Sequence, residues 1–230
     1  MSIKKIIAIA SAKGGVGKST LTALSALSLC NDYKVGILDA DIYGPNQQIL
    51  FNVENIKPEI ISKNSKKFFK PISSKGIEIS SMGSIIESDK AAIWRGPMLS
   101  GAIKQLITST YWSDLDVLFI DMPPGTGDAY LTVCSEIDLD GVILVSTSNI
   151  LSKTDTIKTI STFNKLDVPI FGYIENMTLP LSVGEELTFN NDIPKITTIS
   201  FNESIYNMSL NNISDEIQIL KESLEKIINA

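Results

Sequence analysis

The run Ser11-Ala12-Lys13-Gly14-Gly15-Val16-Gly17-Lys18-Ser19-Thr20 concentrates glycine, lysine and hydroxyl side chains in ten residues. Glycine tolerates the tight turns that aim successive backbone N–H groups at one spot, and a helix beginning there adds the positive end of its dipole. Such a loop cradles phosphate. Lys18 is placed to bridge β- and γ-phosphate oxygens, and the Ser19 hydroxyl to ligate Mg²⁺. The usual pattern begins with glycine, where this chain has Ala12, but the variant K-G-G-x-G-K-[ST] is met in full from Lys13 through Ser19. Lys13, Gly14, Gly15, Val16, Gly17, Lys18, Ser19 and Thr20 are therefore the expected nucleotide-binding residues.

Other candidates stand at the ends of apolar runs. Lys34 to Asp39 reads as a buried strand that delivers Asp39 and Asp41, and Leu115 to Asp121 as another that delivers Asp121. Ligands of open α/β sheets collect at the carboxyl ends of strands, so these acids face the same crevice as the loop, unless they are merely solvated turn acids. Met122-Pro-Pro-Gly-Thr-Gly127 is a rigid turn in which the Gly125 N–H is positioned to sense a γ-phosphate. Asn176 follows the run Pro169 to Ile174; its amide is suited to reading adenine, or to forming a turn.

The elements that position these residues alternate. Ile6–Ala10, Lys34–Asp39, Ile77–Met82, Leu115–Asp121, Gly141–Ser146, Pro169–Ile174 and Ile196–Ser200 read as strands. Leu21–Leu29, Leu99–Thr110, Ser152–Lys165 and Ser214–Ile228 read as helices, the last N-capped by Ser214 with an apolar stripe for packing on the sheet. This is the doubly wound α/β pattern: a mostly parallel sheet with helices on both faces, in one domain spanning residues 1–230. Tyr43 to Lys75 carries Pro45, Pro58 and Pro71 and reads as a short helix plus irregular connection.

Composition narrows the function. At 230 residues, 43% hydrophobic and 20% charged, the chain is ordinary globular material able to bury roughly 70% of its unfolded surface. No apolar run approaches membrane length and no signal peptide is read, so a cytoplasmic protein without membrane attachment is expected. A net charge of −6 disfavours nucleic acid, and the cluster Lys63, Lys66, Lys67 and Lys70 reads as a solvated loop or strand edge. Arg95 is the single arginine, so other charge clamps on phosphate must be lysine. Histidine is absent and Cys30 and Cys134 are the only cysteines, which excludes a Cys/His zinc site; both read as small buried hydrophobes on helices.

Four further blocks, Asp39-Ala-Asp-Ile-Tyr-Gly-Pro45, Trp94-Arg-Gly-Pro-Met98, Asp121-Met-Pro-Pro-Gly-Thr-Gly-Asp128 and Ile174-Glu-Asn-Met177, join the glycine-rich loop in order. From Ile3 to about Ile228 the chain resembles the Mrp/ApbC family of P-loop ATPases, the iron–sulfur cluster carriers, within the class that includes MinD, ParA and the nitrogenase iron protein. The resemblance implies an ATP- and Mg²⁺-dependent homodimer serving scaffold or client apoproteins. It implies that Lys13 reaches the partner's nucleotide, that Asp41 orients the attacking water, that Asp39 and Asp121 support the metal through water, and that Asn176 reads adenine. Two departures stand out. The family's Cys-x-x-Cys ligand pair after the Ile-Glu-Asn-Met block is missing, which argues against a stable [4Fe–4S] cluster on this chain, and Ser200 stands where relatives usually have proline beside the base. The rival readings are a MinD/ParA-like positioning switch and, more distantly, a ligase or kinase that passes the γ-phosphate to a small molecule.

Overall fold

Runs of Ile, Val, Leu and Phe without polar alternation become strands buried on both faces, and the amphipathic runs between them become the covering helices. A computed structural model describes residues 2–85, 97–125, 127–179, 188–189, 193–207 and 213–230. In chain order its elements begin β1 (Ile3–Ala10), α1 (Lys18–Leu29), β2 (Val35–Asp39), α2 (Gln47–Leu50), β3 (Ile60–Lys63), β4 (Lys66–Phe69), β5 (Ile72–Ser74), β6 (Ile77–Ser81) and α3 (Met82–Ile85). They continue with α4 (Pro97–Ser109), β7 (Leu115–Asp121), α5 (Asp128–Glu136), β8 (Gly141–Thr147), α6 (Ile150–Lys165), β9 (Ile170–Thr178), β10 (Lys195–Ser200), α7 (Glu203–Tyr206) and α8 (Ser214–Ile228).

Eight strands form one sheet in the order β10-β9-β8-β1-β7-β2-β6-β5, parallel except for β5, which runs antiparallel along β6 at the edge. Successive residues of β1 serve opposite faces. Ile7 and Ile9 join Val117 and Phe119 under α1 and α8, whereas Ala8 and Ala10 join Leu118 and Ile120 under α4, α5 and α6. Both faces are therefore covered, as the doubly wound pattern requires. Fully burying a side chain such as Phe119 or Phe163 contributes about 1.5–3 kcal/mol, so the two clusters hold the sheet rigid beneath the loops at its carboxyl edge. The chain leaves central β1 for β2 on one side and crosses from β7 to β8 on the other, which places the loop after β1 at the topological switch point.

Several expectations are corrected. The irregular connection drawn over Tyr43 to Lys75 contains an antiparallel hairpin, β3–β4, whose turn residues Asn64 (φ 49°) and Ser65 (φ 64°) are both left-handed, together with edge strand β5. The lysine cluster lies on this hairpin and the residue that follows it. Asn176 lies inside β9, which runs on to Thr178 between β8 and β10, rather than after the strand. Ser214 is the first helical residue of α8, and Ile213, with no side-chain capping bond, holds the cap position. Cys30 and Cys134 are half-buried rather than fully buried. Trp94 and Arg95 lie outside the described residues.

Candidate functional site

The loop between β1 and α1 turns through Gly15 (φ 83°) and Gly17 (φ 87°), conformations that a side chain would strain. A Cβ on Gly14 or Gly15 would meet nothing within 4 Å, so the loop's outer side is open, whereas one on Gly17 would collide with the Asn176 amide. α1 begins at Lys18 with no side chain capping its first turn, which leaves N–H donors for an anion. A cavity of about 420 Å³ lies in front, lined by Lys13, Lys18, Ser19 and Thr20, with Asp41 and Tyr43 from the β2–α2 loop and Pro124 from the loop after β7. Gly14, Gly15 and Gly17 join these side chains in the lining, whereas Val16, Asp39 and Asp121 do not reach this cavity.

Lys18 is buried, with its Nζ 2.5 Å from Asp121 Oδ1 and 3.9 Å from Asp41 Oδ2. Burial alone would lower its pKa, but the charge and hydrogen bond of Asp121, with Asp41 and Asp39 beyond, outweigh it and hold the ammonium above its ordinary value. Asp121 also accepts from Gln47 Nε2 at 2.8 Å and from Thr22 Oγ1 at 3.5 Å. Ser19 and Asp41 line the cavity and offer hard oxygens that fit a Mg²⁺ ion, with Asp121 fully buried behind Lys18. The open Gly14–Gly15 wall leaves room for phosphate, and the buried Gln47 Oε1 lacks a partner among the described residues.

Asp39 pairs in register with Asp121, so the two carboxylates lie side by side. Sequence reasoning aims Asp39 at the phosphates; the structure surrounds it with its own donors. One oxygen accepts from Asp41 N–H (3.2 Å), the other from Asn46 N–H, Gln47 N–H and Ser81 Oγ (3.0 Å each), which fills the second oxygen. Burial first, then Asp121, push its pKa up to about 7. Asp39 fastens the loop that carries Asp41. Asp39→Ala strands several buried donors and is expected to cost about 3 kcal/mol, lowering Tm by roughly 6–12 °C in a thermal melt. Asp41→Ala is expected to move Tm far less. Asp41 accepts from Gly44 N–H at 3.1 Å and lines the cavity, its pKa raised by burial against the opposing pull of Lys18. Equal melting losses would contradict this division.

Lys13 is exposed, and among the described residues no carboxylate lies within ion-pair distance of it. Gly125 takes a left-handed φ of 81° beside Pro124, a turn that needs glycine, while Thr126 lies outside the described residues. Asn176 donates to the Val16 carbonyl at 2.8 Å and so braces the phosphate loop from β9. It also lines a second cleft of about 100 Å³ with Thr20, Ser200, Phe201 and Tyr206. Gln47, Thr22 and Ser81, which support the acids, escaped the motif reading.

A family profile described as the ParA-type NUBPL iron-transfer P-loop NTPase matches residues 2–194. The chain belongs to that family. Among curated relatives, the iron-sulfur cluster carrier protein of Pseudomonas fragi is 46% identical over 180 residues, covering 77% of this chain and 62% of that protein. The one from Rickettsia conorii is 45% identical over 208 residues, covering 89% and 63%. The chain thus spans under two thirds of the length of these relatives. Among solved structures, a nucleotide-binding protein from Archaeoglobus fulgidus in complex with ADP superposes with a TM-score of 0.71 at 30% identity, covering 96% of this chain and 89% of that one. The septum site-determining protein MinD of Pyrococcus horikoshii, with Mg-ADP, gives 0.72 at 21% identity over 97% and 96%, a likeness of fold. The family resemblance and the doubly wound P-loop NTPase fold are both borne out.

Proposed function

We propose that this chain binds ATP with Mg²⁺ in the loop after β1 and hydrolyses it slowly as a homodimer that works in iron–sulfur cluster transfer. The observation that carries the reading is Lys18, a buried ammonium held by Asp121 beside an open cavity lined by an uncapped helix N-terminus. An entering triphosphate carries more negative charge than one carboxylate, so Lys18 exchanges Asp121 for the β- and γ-phosphate oxygens. Ser19 and Asp121 would hold Mg²⁺, which would supply charge neutralisation at the phosphoryl oxygens. Asp41, with one oxygen fixed by Gly44, orients the attacking water. Gly125 offers its N–H to the γ-phosphate, and Asn176 with Phe201 and Tyr206 receives the base in the second cleft.

Exposed apolar residues support the dimer. Tyr43, Met98, Leu131, Ile150 and Leu151 are each more than two-fifths exposed, on loops and helices that follow strand carboxyl ends. Lys13 on the same rim is free to reach a second copy's nucleotide. The cluster, named as cargo in the relatives, is held by a scaffold or client, and this chain supplies the ATP-driven step. A positioning switch of MinD type is less well supported, because α8 buries Leu220 and Leu224 beside α1 instead of presenting them to a surface.

Phosphate release and light scattering test this reading. Phosphate is expected without any acceptor, and dimers only with ATP. Lys13→Ala is expected to lower kcat by about 10³ with little change in ATP affinity, the scale of a charge supplied in trans. Asp41→Ala is expected to keep ATP bound in a dimer that does not turn over. A monomer at saturating ATP, or unchanged kcat for Lys13→Ala, would contradict the reading.

A further inference from the structure

Gln47 is fully buried in α2, yet its carboxamide oxygen has no hydrogen-bond partner among the described residues. A buried unpaired carbonyl costs about 1–3 kcal/mol, which methionine of similar length would avoid, so packing does not account for glutamine here. Its bonds do point somewhere. Nε2 donates to Asp121 Oδ2 at 2.8 Å and to the Ser19 carbonyl at 2.9 Å, while the Gln47 backbone N–H donates to Asp39 Oδ2 at 3.0 Å. The amide orientation follows from these partners, since the reverse would set Oε1 against two acceptors. One residue, through its backbone N–H and its side-chain amide, therefore ties together the acid at the end of β2, the first turn of α1 and the acid at the end of β7.

We infer that Gln47 is the positioning residue that sets Mg²⁺ affinity in this site. The inference rests on the nucleotide reading above and deepens it. When Lys18 leaves Asp121 for phosphate, the carboxylate loses its cation and, untethered, is free to turn about two side-chain torsions. Gln47 holds Oδ2, so Oδ1, left with only the 3.5 Å contact from Thr22 Oγ1, would remain available to support the metal, and Gln47 also holds Ser19 at the distance set by α1. Groups that orient a metal's own ligands are typically worth 10- to 100-fold in metal affinity.

The experiment titrates ATP calorimetrically with and without Mg²⁺ into the full chain and into Gln47→Met and Gln47→Asn, each checked for folding by circular dichroism. Methionine keeps the length and loses the amide; asparagine keeps the amide and loses the reach. Affinity for Mg²⁺-free ATP is expected within about twofold of wild type, while the strengthening produced by Mg²⁺ shrinks about 10- to 100-fold in both variants. Wild-type Mg²⁺ dependence in either folded variant overturns the inference. Equal weakening with and without Mg²⁺ also overturns it, because Gln47 would then be holding the phosphate loop. Should Gln47→Met fail to fold, Gln47→Asn decides. Absence of ATP binding by the wild-type chain defeats the nucleotide reading itself, an outcome the same titration separates from failure of the variants alone.

Discussion

Lys18→Ala is expected to abolish ATP binding and to destabilise the nucleotide-free fold. Each charge-assisted hydrogen bond from Nζ to a phosphate oxygen is worth about 1.5–3 kcal/mol, so losing two weakens affinity about a hundredfold or more. The second effect comes from the partners left behind. Asp121 is completely buried and Asp41 nearly so, and Lys18 is the ammonium they share. Removing one member of a buried pair typically costs about 3–5 kcal/mol, or roughly 6–20 °C of Tm in a chain of this size. The double variant Lys18→Ala with Asp121→Asn separates the effects, because an amide needs no counter-charge. It is expected to recover most of the lost Tm and none of the lost ATP affinity. A Lys18→Ala chain that binds ATP like wild type would remove the basis of the phosphate site.

The other large effect is an absence of iron. A cluster bridging a two-fold dimer needs two thiolates from each subunit close to the axis. This chain has two cysteines, but Cys134 on α5 packs into the cluster that contains Ala8 and Ala10, and Cys30 at the end of α1 into the one that contains Ile7 and Ile9. Those are opposite faces of the sheet, and no change of rotamer brings the two sulfurs together. Burial raises both thiols, Cys134 to about 11, which disfavours the thiolate that iron requires. After anaerobic reconstitution with iron and sulfide, then desalting, iron at background is expected. About four irons per dimer, lost on Cys30→Ser or Cys134→Ser, would show relocated ligands and overturn this expectation.

What was legible in the sequence was whatever rests on long apolar runs and glycine. β1, the phosphate loop and α1 follow from Ile6–Ala10, three glycines and a helix-forming run, and β7 matches its predicted span residue for residue. The strand-end acids were legible for the same reason. Their different roles were not, because the donors that saturate Asp39 come from Asn46 and Gln47, in the proline-punctuated stretch, and from Ser81 on β6. The β3–β4 hairpin was hidden by its turn, since Asn64-Ser65 adopts two left-handed residues without the glycine that usually signals them. The tie between Asn176 and Val16 joins residues 160 apart in the chain and has no local signature at all. Gln47 escaped because burial of a polar side chain is a tertiary fact.

The most direct test of the account is equilibrium binding of ATP to the wild-type chain in the presence and absence of Mg²⁺. Saturable binding of one nucleotide per chain, tightened by Mg²⁺ and competed by ADP, is expected. No saturable binding at millimolar ATP with Mg²⁺ would contradict it, and the Lys18–Asp121 pair would then be a structural ion pair with no phosphate to release it.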